Sequence, residues 1–341
     1  MKHNDFAYHF SNFFNKYLPG ERGFSTNTIS SYEDAFCLLL TFMNDTEYIK
    51  AERLRLEDIT RPMVENFLDW LESERSCSPQ TRNVRLAALH SFVKYLQYEA
   101  PRNMDEWHKI LAIPFKKTAK TTPCYASTDG IKLILSQPDT ATRNGKRDLT
   151  MLSLLYDAGA RVQEVCDLTV DMVRLSSPST LKIIGKGNKA RIVPLMKEMS
   201  DILEIYMREN NLTNPEAGSY PLFANSRGNK LTRSGVAYVL NKYITSARST
   251  SQEIIPEGFS CHSMRHSKAM HLLQSDVPLI YIRDILGHSS VVTTEVYARV
   301  DGKRKREAIE AAYQKTSPNI EAVWHSNNSI RDFIADIRRI K

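Results

Sequence analysis

Apolar residues return every three or four positions through most of this chain, and one short stretch alone abandons that spacing. A three-to-four period gathers hydrophobic side chains on one face of an α-helix. The chain is therefore committed to packing helix on helix, with a small sheet as the exception. Ile29, Tyr32, Phe36, Leu39 and Met43 mark one such face. Val64, Phe67, Leu68 and Leu71 mark a second, behind Thr60-Arg61 and a Pro62 suited to a first helical turn. Leu86, Leu89, Val93 and Leu96 make a third, opened by Ser78-Pro79, with Arg82, Arg85 and Lys94 lying off it. In sequence, a solvated cationic face and a DNA-binding face look alike.

Between Ala112 and Ser127 the period lapses, and Pro114 and Pro123 bracket Lys116, Lys117 and Lys120. This stretch reads as a basic tether between two domains. Beyond it, DLTMLSLLYDAGA predicts an apolar helix with Gly159 as a left-handed cap, followed by a helix over RVQEVCDL. The exception to the helical period comes next. Thr180 to Ile184 and Ala190 to Leu195 are β-prone and joined by GKGNK, which predicts a hairpin turning at Gly187-Asn188. Helices are then expected over Lys197–Glu209, Ser234–Ser246, Ser263–Gln274 and Leu279–Leu286, and a last amphipathic stripe runs through Ile330, Phe333, Ile334 and Ile337.

A length of 341 residues suits two domains, and 42% apolar with 25% charged residues is the make-up of a folded protein, not a disordered one. The balance of 46 basic over 39 acidic side chains, +7, favours a polyanion such as nucleic acid. Five dispersed cysteines without a CxxC pair suggest neither a disulfide framework nor a thiolate zinc site, and point to a reducing cytoplasm. Neither a signal peptide nor a membrane span is expected. Several chemistries lack their motifs. GKGNK is not a phosphate-binding P-loop, no GxSxG elbow occurs, and His262 and His266 lack the intervening Glu of a zinc HExxH site.

The unusual groups lie in SCHSMRHSKAMHLLQ and LGHSSVVTTEVYARV. Taken singly, each has a structural explanation: His288 caps a helix, Arg265 pairs with an acid, Tyr297 packs its ring. Taken together, ARVQEV at Arg161, IIGKGNKARIVPL at Lys186, HSMRH at His262 to His266, LGHSS at His288 and TTEVYARV at Tyr297 strongly resemble the tyrosine recombinase (phage integrase) family. The blocks keep order at separations of 25, 76, 3, 23 and 9 residues between successive key side chains. The resemblance spans about Ser127 to Gly302. The N-terminal helices are similar to the family's core-binding domain in position and character. Met264 where leucine is usual, and Arg299 where histidine often stands, are the departures.

The resemblance implies a mainly α fold with a small β-hairpin: a helical core-binding, SAM-like domain over 1–112, a linker over 113–127, a catalytic domain over 128–316, and a tail over 317–341 whose helix docks on a subunit. It implies a C-shaped clamp on double-stranded DNA and a homotetramer on two DNA sites, with accessory DNA-bending or directionality proteins as further partners. Tyr297 would attack a DNA phosphodiester, leaving a 3′-phosphotyrosine and a free 5′-hydroxyl. Arg161 and Arg265 would hold the non-bridging oxygens, Lys186 would protonate the departing oxygen, and His262 and His288 would serve as acid/base and hydrogen-bonding groups. Arg82, Arg85, Lys94, Lys116, Lys117, Lys120, Lys189 and Arg191 are the expected DNA contacts. No metal or cofactor is implied, and a bacterial, nucleoid-associated cytoplasmic protein is expected.

The chemistry supports those assignments. Forked, permanently charged guanidinium groups suit a transition state that gathers charge on phosphoryl oxygens. A phenol of pKa ~10 needs a base and positive potential to become a nucleophile. The KRKR at Lys303 to Arg306 and the long segment after Tyr297 tilt the expectation towards a mobile-element integrase or transposase. Xer-type chromosome-dimer resolution, topoisomerase-like relaxation and a non-catalytic DNA-binding regulator are the alternatives.

Overall fold

The computed structural model describes residues 5–300 apart from 120–121, 252 and 289. It divides into two compact units that part between residues 121 and 122. The KRKR cluster and the Ile330–Ile337 stripe lie outside the described residues, as does Lys120.

The first unit is helical. Helix α1 (Asp5–Asn12) runs on through a π-helical segment, Phe13–Glu21, and is followed by α2 (Thr26–Asp45), α3 (Arg61–Ser73), α4 (Pro79–Glu99) and α5 (Met104–Leu111). The apolar stripes face inward. Phe36, Leu39 and Met43 of α2, Val64, Phe67, Leu68 and Leu71 of α3, and Leu86, Leu89, Val93 and Leu96 of α4 are all buried. Ser25, Thr60 and Ser78 cap these helices by accepting from backbone N–H groups three residues on, and Pro62 and Pro79 sit in first turns where no N–H is required. Phe13, Phe36 and Phe92 meet edge-on at the centre, Phe13–Phe92 at 5.1 Å and Phe36–Phe92 at 5.2 Å between centroids.

The second unit carries α6 (Thr128–Leu135), α7 (Arg143–Asp157), α8 (Val162–Cys166), a three-stranded sheet, and then α9 (Lys197–Glu209), α10 (Arg233–Thr250), α11 (Cys261–Gln274), α12 (Leu279–Leu286) and α13 (Val291–Val300). The sheet is antiparallel in the order β1 (Val173–Arg174), β2 (Thr180–Ile184), β3 (Ala190–Pro194). Leu181 opposes Val193 and Ile184 opposes Ala190, so Leu181, Ile183 and Val193 turn to the core. Gly187 and Asn188 both take positive φ at the hairpin turn, 74° and 58°. Helix α7 is the central element: Met151, Leu152, Leu154 and Leu155 have no exposed surface, and the helix packs on α9 and α11.

Buried polar groups in this core are paired. Asp148 of α7 accepts from Arg147 at 2.7 Å and from the Tyr243 hydroxyl of α10 at 2.9 Å. Tyr243→Phe leaves that buried oxygen one donor short and is expected to cost about 1–3 kcal/mol, read as a lower urea midpoint. An unchanged midpoint would show that the bond adds nothing.

Candidate active site

Three backbone turns bring the site together. Helix α7 ends at Asp157, and the chain reverses at Gly159 with φ 54°, as its sequence predicts; a Cβ there would meet Leu286 at 2.7 Å. Two residues later Arg161 occupies the N-cap of α8. At the far side, α12 ends in a left-handed Gly287 (φ 65°), whose N–H bonds the Asp284 carbonyl while the His288 N–H bonds that of Arg283.

Arg265 of α11 sits between these turns, 3% exposed. Its guanidinium donates to the carbonyls of Gly159 and Leu286, each at 2.7 Å, so two helix C-terminal ends hold one cation. No carboxylate of the described residues forms an ion pair with it. Burial, followed by the charge of Arg161, lowers its pKa to about 10, which still leaves it fully charged at neutral pH.

Glu164 is the one buried anion of the cluster. Its carboxylate accepts from the Arg161 backbone N–H and guanidinium, both at 2.8 Å, and from both terminal nitrogens of Arg191 at 3.1 and 2.8 Å. Burial works against its charge, but the Arg191 bonds and those from Arg161 hold it below the usual carboxylate range. Arg191 further donates to the Ile285 carbonyl at 2.9 Å. A Cβ on Gly287 would come within 2.9 Å of its guanidinium, which is why the α12 turn carries no side chain.

Tyr297 of α13 is buried in this unit, 3% exposed. Its hydroxyl lies 2.8 Å from Nδ1 of His266, its ring 5.7 Å from that imidazole and 6.5 Å from the nearly parallel ring of His288. Burial raises its pKa, against the charges of Arg265 and Arg161, which favour the phenolate. His288 bonds through Nδ1 to the buried hydroxyl of Thr294 at 3.0 Å, tying the turn after α12 to the tyrosine helix. Burial and then the cations Arg265 and Arg161 push His288 down to about 4, so it is neutral at pH 7.

Arg161, Arg265, His288 and Tyr297 thus stand together. Lys186 opens the hairpin turn between β2 and β3. His262 lies one turn before Arg265 on α11 but is exposed, its ring stacked on His266 at 6.4 Å. Two of the expected DNA contacts, Arg82 and Arg191, are turned inward. Arg82 is 6% exposed, donating to the Pro114 carbonyl near Glu72, because α4 turns that position against the following segment. Arg191 is bound internally to Glu164. Arg85 is half-buried on the Ser31 carbonyl, whereas Lys94, Lys116, Lys117 and Lys189 are exposed. Glu164, His266 and Thr294, none of them among the expected site residues, complete the cluster. The signal for the last two was present in their spacing, one residue past Arg265 and one turn before Tyr297.

Residues 126–304 match the profile described as "Phage integrase family", and residues 12–100 match "Phage integrase, N-terminal SAM-like domain". "Putative integrase/recombinase y4rC" of Sinorhizobium fredii is 35% identical over 318 residues, 93% of each chain. "Tyrosine recombinase XerD" of Listeria monocytogenes is 32% identical over 294 residues, 85% of this chain and 94% of that one. The fold is shared with the XerH site-specific recombinase bound to palindromic difH substrate (TM-score 0.66, 22% identity, 86% of this chain and 82% of that one). It is shared also with a lambda integrase dimer bound to a core site (TM-score 0.63, 16% identity, 92% and 99%). The chain belongs to the phage integrase family and is a site-specific recombinase of the tyrosine class.

The pH dependence of this site has a defined sign. Unfolding returns His288 to its ordinary 6.5, so the unfolded chain binds the extra proton as pH falls from about 6.5 to about 4, and stability is lost over that window. Allowing for partial exposure, the loss is about 2 kcal/mol. The stability advantage of the wild type over His288→Gln, from urea unfolding, is expected to shrink by that amount between pH 7 and pH 4. A gap that stays constant would mean that His288 is not held neutral.

Proposed function

We propose that the protein cuts and rejoins double-stranded DNA through a 3′-phosphotyrosine intermediate, with Tyr297 as nucleophile, and that it does so to integrate, excise or transpose a mobile element. The observation that carries this reading is an excess of fixed positive charge. Arg161 and Arg191 share the buried Glu164 carboxylate and Arg265 has carbonyl partners alone, so three guanidinium groups face one carboxylate and leave room for one more anion. A DNA phosphodiester supplies that anion, and the charge gathered on its non-bridging oxygens in the transition state strengthens the same contacts.

In this scheme Arg161 and Arg265 hold the non-bridging oxygens. The Tyr297 oxygen forms a bond to phosphorus as the bond to the 5′-oxygen breaks, and Lys186 on its hairpin turn donates the proton that the leaving oxygen needs. The exchange replaces one phosphate ester with another, so rejoining needs only a 5′-hydroxyl. Exposed Lys94, Lys116, Lys117 and Lys189 lie along the phosphate backbone. The assembly is a homotetramer on two sites, as the family resemblance implies. The mobile-element role is favoured by the 35% identical relative that spans 93% of both chains and carries an integrase/recombinase name.

The test is covalent capture. Incubated with a pool of randomised nicked duplexes, the wild type is expected to yield a denaturation-resistant protein–DNA adduct, whose DNA reveals the site. Tyr297→Phe should bind and give no adduct, and Arg265→Ala should slow cleavage by at least ~10². An adduct that persists in Tyr297→Phe would assign the nucleophile to another residue.

A further inference from the structure

We infer that His266 is the residue that orients the Tyr297 hydroxyl and accepts its proton during DNA cleavage. This inference deepens the reading of Tyr297 as nucleophile and rests on it.

Three observations lead there. The Tyr297 hydroxyl has His266 Nδ1 at 2.8 Å, the hydrogen-bond distance that a proton transfer requires. His262, the histidine the sequence singles out for acid/base work, is exposed, and no hydrogen bond joins it to the tyrosine. His266 is also held in place: it lies on α11 immediately after Arg265, which is pinned by two carbonyls, so the base and the anion-binding cation are fixed by one helix turn.

The surroundings suit a base. His266 faces Arg265 and His262 on its own helix, Tyr297 on α13 and His288 in the turn after α12. Burial, then the charges of His262 and Arg265, lower its pKa, so the ring is neutral at pH 7 with a lone pair available at Nδ1. Its basicity rises when the reaction needs it, because a bound phosphate offsets the Arg265 charge. The step balances. The phenol proton passes to Nδ1, the tyrosine oxygen bonds to phosphorus, the 5′-oxygen leaves with a proton from Lys186, and the imidazolium releases its proton to solvent or returns it on rejoining.

The same arrangement recurs five residues along the helix in a purely structural form. The Tyr156 hydroxyl lies 2.8 Å from His271 Nδ1, while His271 Nε2 meets the Ala126 carbonyl at 3.1 Å. With Nε2 donating to that carbonyl, His271 Nδ1 must accept from the tyrosine. At His266 no carbonyl of the described residues bonds Nε2, so that nitrogen can release a proton. Helix α11 thus presents two tyrosine–histidine pairs, one closed at both nitrogens and one open at the second.

The experiment measures single-turnover cleavage of the captured site at saturating DNA, with two substrates: the natural nicked duplex, and one with a sulfur in place of the bridging 5′-oxygen. A thiolate departs without a proton, so the sulfur substrate relieves a missing acid but not a missing base. His266→Asn, which keeps a hydrogen-bonding group near Nδ1, is expected to slow cleavage at least ~10² on both substrates. It should also lose the acid limb expected in the wild-type pH profile. Lys186→Ala should be slow on the natural substrate and restored on the sulfur one. His266→Gln serves in its place should the Asn variant fail to fold. Cleavage within threefold of wild type, or restoration by sulfur, would overturn the assignment. If the wild type itself forms no Tyr297-dependent adduct, the nucleophile reading fails; if it does and His266 is dispensable, only this inference fails.

Discussion

A single buried carboxylate, Glu164, makes the rest of the site possible. Permanent cations repel one another in a dry interior, and the cost of gathering them is lowered only by a fixed counter-charge with good geometry. Glu164 engages Arg161 through backbone and side chain, and Arg191 through two nitrogens, so one anion fixes two guanidinium groups. Arg265 is left to neutral carbonyls. The cluster is thereby stable enough to fold and still short of an anion, which is the condition an electrostatic catalyst of phosphate chemistry needs before its substrate arrives.

The fold supplies this arrangement by ending helices in the right place. The C-terminal ends of α7 and α12 carry partial negative charge, and both meet the Arg265 guanidinium. Each chain reversal is made by a glycine with positive φ, and at each a side chain would collide, with Leu286 at Gly159 and with Arg191 at Gly287. The same turn after α12 presents His288, whose bond to Thr294 links it to the helix that bears Tyr297. A side chain added at either glycine would therefore be felt at Leu286 or Arg191 through packing, not through lost charge.

Much of this was legible in the chain. The stripes on α2, α3 and α4 are buried as their spacing predicts, the hairpin turns at Gly187-Asn188, and Gly159 is left-handed. The six family positions needed the resemblance, because a lone Arg, His or Tyr has an ordinary structural explanation. What periodicity could not show was partnership. Arg82 and Arg191 read as free cations, yet each is turned inward by contacts more than twenty residues away in sequence. Glu164 and His266 look like an ordinary helix acid and a neighbour of Arg265, and only the tertiary packing gives them Arg191 and Tyr297 as partners. Strand β1 is two residues, too short for an alternation to declare itself.

In the proposed reaction the Glu164 carboxylate sets Arg161, one of the two guanidinium groups that receive the phosphate. The most direct test of that role is the cleavage rate of Glu164→Gln at saturating DNA, where weaker binding no longer contributes. The expected result is a fall of roughly 10²-fold, the scale set by small misplacements of catalytic groups, with the variant still folded at the assay temperature. A folded variant that cleaves at the wild-type rate would contradict it.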